Sequence, residues 1–198
     1  MVSVTLIEKQ RNKLLRRVDW RFLLPNPRPA RAICFGSGRL IEAVKSVMDQ
    51  VTVSCQQQQG EYDLAVAANP DRATLLAAWR ALKPDGSCYA EWSWPRCGML
   101  SGIQRCLQAA GFTDIRFYWA GPSRSHPRFW VPLESQGALH YFLESRPPAP
   151  NLLIAVVFKV IRFFWYLLYQ IGLLWPLCVV ARKAGLDAAS EDEILGQT

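Results

Sequence analysis

Between Arg31 and about residue 120 the chain alternates short apolar runs that end at turn residues with segments whose apolar positions recur every three to four residues. Few folds accept that alternation, because strands buried on both faces and helices with one apolar stripe must cover one another. ARAICFGSG predicts a short buried strand that stops at glycines. RLIEAVKSVMDQ predicts a helix with Leu40, Ile41, Val44, Val47 and Met48 turned inward, and VTVSC a second strand. After the polar run QQQQG, YDLAVAA predicts a third strand, DRATLLAAWRALKPDG a helix stopped by Pro84 and Gly86, and SCYAEW a further strand. MLSGIQRCLQAAG reads as a helix, FTDIRFYWA as a strand, and ALHYFLES as a last strand at an edge. The expectation is an α/β fold with an open, mainly parallel Rossmann-like sheet covered on both faces.

With 198 residues, the chain has room for one such domain and an appendage, and 51% hydrophobic residues against 20% charged ones exclude a disordered chain. The formal charge of +7 is unevenly placed. Residues 1–39 hold 9 Lys/Arg against 2 Asp/Glu, which leaves 14 of each in the remainder. Residues 1–30 therefore read as a basic arm and linker, helical over 3–18 through Leu6, Leu14, Leu15 and Val18 and broken by Pro25, Pro27 and Pro29. Such an arm suits a solvated face or an anionic partner. It lacks any recognised nucleic-acid module, and its aromatics are not interleaved with its basic residues, so nucleic acid is an improbable partner. The opening residues also lack the layout of a secretory signal.

A third region differs in kind. Residues 151–181 read NLLIAVVFKVIRFFWYLLYQIGLLWPLCVVA, and the 19 residues from Phe163 to Ala181 carry no charge. At 1.5 Å per residue a helix of that length spans roughly 28 Å, close to the hydrocarbon core of a bilayer. Residues 147–184 are therefore expected to form a membrane-inserting helix or hairpin, ahead of a polar tail over 185–198. A buried helix packed in a larger assembly is the alternative, and Gly172 and Pro176 suit a kink or hairpin. Lys159 and Arg162 precede the uncharged run and Arg182 and Lys183 follow it, so charge sets orientation weakly, with the main domain placed on the cytoplasmic side.

Six cysteines (Cys34, Cys55, Cys88, Cys97, Cys106 and Cys178) form no CxxC pair and read as small core residues. With His126 and His140 isolated from them, no metal site can be assembled. The motif with a physical mechanism is FGSGR. Gly36 and Gly38 end the first strand just where a helix opens, which permits a sharp turn and close backbone approach to a ligand. It is neither a phosphate loop nor a nucleophile elbow, and Ile41 stands where a dinucleotide fingerprint has its third glycine.

Taken in order, FGSG, YDLAVAA, LLAAWRALKPDGSCYAEW and LQAAGFTDIRFYW resemble a class I S-adenosylmethionine-dependent methyltransferase over about residues 31–143, within an α/β domain expected over 31–146. The resemblance implies that the glycine loop (Gly36, Ser37, Gly38) cradles the methionine part of S-adenosylmethionine. It implies that YDLAVAA is the family's fourth strand, with Asp63 on it, and that the AGF element leads into its penultimate strand. Ser54 falls where the family carries the acid that holds the ribose hydroxyls, so the cofactor site is degenerate. The core is abridged as well, since too few residues separate VTVSC from YDLAVAA for the family's third strand and its helix.

Around that site, Glu91 at the carboxyl end of a strand is the candidate base, and Trp92 and Trp94 are candidate aromatic walls for a substrate. Arg124 and His126 in GPSRSHPRFW are candidate anion contacts. Two functions follow. One is a membrane-associated methyltransferase acting on a small or lipophilic substrate; the other is a non-catalytic relative serving as a membrane-bound assembly subunit, with the apolar segment as its protein interface.

Overall fold

The structure, a computed structural model, describes residues 12–53, 60–92, 99–121, 127, 129–145, 156, 160, 163 and 177–185. Seven strands form one sheet: β1 (Arg31–Phe35), β2 (Gln50–Val53), β3 (Tyr62–Ala68), β4 (Leu82–Trp92), β5 (Phe112–Gly121), β6 (Phe129–Pro132) and β7 (Leu177–Lys183). Their order across the sheet is β2-β1-β3-β4-β7-β5-β6. The first four strands pair in parallel, β7 runs antiparallel to both β4 and β5, and β6 closes the edge antiparallel to β5. The sheet is thus Rossmann-like and mostly parallel, with a mixed far side. Among the described residues no strand intervenes between β2 and β3, so the abridgement expected from the spacing is present.

Helices cover both faces. On one face lie α2 (Arg72–Ala81), α3 (Met99–Ala110) and α4 (Gln136–Glu144), which bring Leu75, Ala78, Leu107 and Leu139 onto Ile33, Ala65, Cys88 and Val179. On the other lies α1 (Arg39–Lys45), with Leu40, Ile41 and Val44 buried as their spacing predicts. The helices begin where side-chain chemistry allows. Asp71 caps α2 by accepting from the Thr74 N–H at 2.8 Å, and Ser135 caps α4 by accepting from the Ala138 N–H at 3.2 Å.

Several expectations need correction. ALHYFLES is not an edge strand: it lies in α4, where the Ser135 cap starts a helix that buries Leu139 and exposes Tyr141. The edge strand is β6, taken from the FW of the loop that precedes it. Helix α2 ends at Ala81, short of Pro84 and Gly86, and Leu82 already pairs with Tyr62, the register then shifting so that Leu64 faces Ser87.

The largest revision concerns the apolar run. A single 19-residue helix from Phe163 to Ala181 does not exist, because Leu177–Ala181 is the buried first part of β7, hydrogen-bonded on both sides to β4 and β5. Leu177, Val179 and Ala181 enter the core on one face and Cys178 and Val180 on the other, which explains a run without polar alternation. Among the described residues no helix is long and apolar enough to cross a membrane. Residues 164–176 lie outside the described residues.

The basic arm is also partly built into the domain. Asn12 to Arg16 are helical, and Val18, Trp20 and Leu24 are buried against α1 and the sheet. Trp20 stacks on Tyr89 of β4 with ring centroids 3.9 Å apart and planes 8° from parallel. Of the helix-face residues proposed for this segment, Val18 is fully buried, Leu15 is exposed, and Leu6 lies outside the described residues.

Candidate functional site

Parallel pairing brings the carboxyl ends of β1, β3 and β4 to one edge: Phe35 faces Ala67, and Ala68 faces Glu91. At this edge the chain leaves β1 through Gly36, Ser37 and Gly38, all exposed, before α1 begins at Arg39. Gly36 and Gly38 have φ of 105° and 96°, left-handed values that a side chain resists. A Cβ on Gly36 would lie 3.6 Å from the Ala68 Cβ, so the loop packs over the end of β3, whereas a Cβ on Gly38 would meet nothing within 4 Å. The glycine loop is therefore a bare backbone turn open to solvent at the edge where open α/β sheets receive ligands.

Across the same edge, Asn69 follows β3 at φ 51°, its N–H donating to the Glu91 carbonyl at 2.7 Å. Half-buried Trp92 ends β4, and its indole N–H donates to the Pro70 carbonyl at 3.2 Å. Trp92 is thus pinned as a wall beside the turn after β3. β2 ends at Val53, which is 46% exposed. Ser54, Trp94, Arg124 and His126 lie outside the described residues.

Glu91 does not present a free carboxylate to the edge. Its side chain is buried, accepts from the Arg17 guanidinium, and accepts from the Tyr89 hydroxyl at 3.2 Å. Burial opposes the charge of Arg17, but the adjacent Glu91 carboxylate outweighs it and raises the Arg17 pKa above its ordinary value. Burial pushes the Tyr89 phenol well up, so the hydroxyl stays protonated and donates. The arm residue Arg17 thereby enters the site region, which the sequence did not suggest. The Trp20 indole N–H, buried on this same face, has no hydrogen-bond partner among the described residues.

The opposite edge carries a cleft of about 190 Å³ lined by Leu24, Pro25, Asp63, Lys83 and Asp85. Asp63 is engaged there by the Ala30 and Arg31 N–H groups, at 3.1 and 2.9 Å, and by the Lys83 ammonium at 3.1 Å. It ties the incoming linker to β3 and β4, at the amino ends of the strands and far from the glycine loop. Among the described residues no group of acidic, histidine and cysteine side chains is assembled for a metal ion.

The glycine turn after β1 and the order of the strands give the chain a Rossmann-like, mostly parallel α/β fold. No family model matches the sequence, and no curated protein matches it. Solved structures similar to it include a S-adenosylmethionine-dependent methyltransferase from Archaeoglobus fulgidus, at 13% identity and a TM-score of 0.48 over 91% of this chain and 99% of that one. A possible histamine N-methyltransferase from Thermotoga maritima is similar at 11% identity and a TM-score of 0.42, covering 88% of each chain. A phosphoethanolamine N-methyltransferase from Haemonchus contortus bound to S-adenosyl-L-methionine is similar at 14% identity and a TM-score of 0.43 over 89% of this chain. The present chain spans about half of the length of that protein, 52%.

Proposed function

We propose that this chain is a membrane-associated methyltransferase-like protein that binds S-adenosylmethionine through a reduced site. The observation that carries the reading is the open turn of Gly36 and Gly38, whose left-handed backbone leaves room for a ligand beside the ends of β1 and β3. Gly36, Ser37 and Gly38 would hold the methionine part, with Ser54 replacing the ribose acid and Trp92 and Trp94 lying toward the acceptor. The cofactor supplies an electrophilic methyl group; the chain's own contribution is to orient it and to exclude water from the acceptor. The glycine turn would suit the methionine part, and Ser54 and Cys55 after β2 supply no carboxylate there to hold the ribose. Loss of a paired hydrogen bond of that kind costs on the order of 1–3 kcal/mol, one to two powers of ten in affinity.

On this reading the main domain would sit on the cytoplasmic side of a membrane, with the apolar region before β7 meeting lipid and the acceptor being small or lipophilic. Arg124 and His126 would contact an anionic part of that acceptor.

A second reading, a non-catalytic assembly subunit, is favoured by one specific observation. Glu91, the buried carboxylate nearest to the glycine edge, is already consumed by Arg17 and Tyr89, so it is unsuited to take a proton from an acceptor. Calorimetric titration of the full chain with S-adenosylmethionine separates the two readings, alongside a Gly38→Asp variant that fills the turn with bulk and charge. Saturable binding near micromolar that the variant loses supports the cofactor reading. No heat at millimolar cofactor from a folded protein overturns it and leaves the assembly role.

A further inference from the structure

Glu91 sits where the parts of the glycine edge meet. Its main chain is the register partner of Ala68 on β3 and of Cys178 on β7, and its carbonyl accepts from the Asn69 N–H at 2.7 Å. Ala68 is the residue on which the glycine turn rests, since a Cβ on Gly36 would lie 3.5 Å from its carbonyl oxygen. Trp92 follows Glu91 directly and ties the strand end to the Pro70 carbonyl through its indole. The glycine turn, the turn after β3 and the Trp92 wall are therefore all joined to the backbone that bears this one carboxylate.

Resting on the cofactor reading above, we propose that Arg17 is a positioning residue for that edge: its charge holds Glu91 inside the fold, and so holds the ends of β3 and β4 where the glycine turn needs them. Among the described residues Arg17 and Glu91 are the two buried charged side chains, 6% and 4% exposed. Neither is tolerated there alone, because an unpaired buried charge is expelled or neutralised. Glu91 stands next to the last residue of β4, at a strand end that can yield. With Arg17 gone, the carboxylate regains water by moving outward at that end, which strains the Asn69 and Trp92 hydrogen bonds.

The arm grips this point twice. Trp20 stacks on Tyr89, and the Tyr89 hydroxyl donates to the same carboxylate that Arg17 holds. A ligand that requires the edge in place then favours the docked arm by the same free energy with which the docked arm favours the ligand. The basic segment thus completes the site from behind, as a support for the groups that meet cofactor, without touching cofactor itself.

Calorimetric titration of the full chain with S-adenosylmethionine tests this, at a temperature where circular dichroism shows each protein folded. The wild type is compared with Arg17→Met, Arg17→Lys and Leu139→Ala. Leu139 is buried in α4 against the opposite face of the sheet, so its truncation lowers stability without reaching the arm. The expected result is binding weakened roughly tenfold or more in Arg17→Met, restored to within about threefold in Arg17→Lys, and unchanged in Leu139→Ala. In the wild type, cofactor should also slow hydrogen exchange over residues 17–24 more than over α4. If Arg17→Met fails to fold, the exchange measurement decides. Wild-type affinity in a folded Arg17→Met protein, an equal loss in Leu139→Ala, or arm exchange indifferent to cofactor overturns the positioning role and leaves Arg17 a structural partner of Glu91. No binding by the folded wild type overturns the cofactor reading itself, and this inference with it.

Discussion

A carboxylate and a guanidinium buried together lose hydration on both sides, and the pair persists only while each partner satisfies the other. Arg17 and Glu91 are in that position, with the Tyr89 hydroxyl as a third member. Removing one charge leaves the other stranded, so Glu91→Gln and Arg17→Met should each cost about 3 kcal/mol in denaturant unfolding. The double variant should recover much of that loss. Additive losses in the double variant would show that the two groups do not act as a pair. Asp63 answers to pH instead. Burial works against its charge, but the Arg31 and Ala30 N–H groups and the Lys83 ammonium outweigh it and hold its pKa below the ordinary 3.8. A depressed carboxyl contributes stability above the unfolded pKa and loses it as pH falls through the folded one. Asp63→Asn should therefore lower stability by about 1 kcal/mol at pH 7, and the gap should hold down to about pH 5 and shrink below 3.8. Unfolding midpoints of both proteins at pH 7, 4 and 2.5 check this; an unchanged gap at 2.5 assigns the effect to shape.

Among the elements, β7 is the one on which most depends. It fills the slot between β4 and β5, and Val179 stands between Ala90 and Phe117 with both faces of the strand buried. Val179→Asp introduces a charge with no partner in that core, and the expected loss exceeds 4 kcal/mol, enough to abolish cooperative unfolding of a marginally stable domain. A thermal transition within a few degrees of the wild type would mean that β7 is not in the central sheet. The strand was hard to read beforehand for a definite reason. LCVVA continues an uncharged run begun at Phe163, and a short apolar run buried on both faces has the same composition as a piece of buried helix. Its β-branched pair Val179 and Val180 and the preceding Pro176 were the signals for a strand. By contrast β1, β3 and β4 were legible, because glycine, proline or polar residues bound each of them and the helices between carry one-sided patterns. ALHYFLES misled through its aromatic and short apolar spacing, while Ser135, a good N-cap, was the overlooked helix signal.

At the scale of the whole molecule, the sequence by itself determined the class of fold, the place of the glycine turn and the missing third strand, since these depend on local spacing and on how far a chain of given length can reach. It also located Glu91 at the carboxyl end of a strand, where the structure puts it. Tertiary structure alone decided what that carboxylate touches. Arg17 and Glu91 stand 74 positions apart, and no local pattern records that the basic segment folds back over the sheet with Trp20 on Tyr89. The same holds for the apolar C-terminal region. Composition alone admits a membrane span; the antiparallel pairing of Leu177–Lys183 with two distant strands requires the chain to come back. Burial periodicity is written into neighbouring residues, whereas a strand's partners and a charge's counterion are chosen by contacts between segments far apart in the chain.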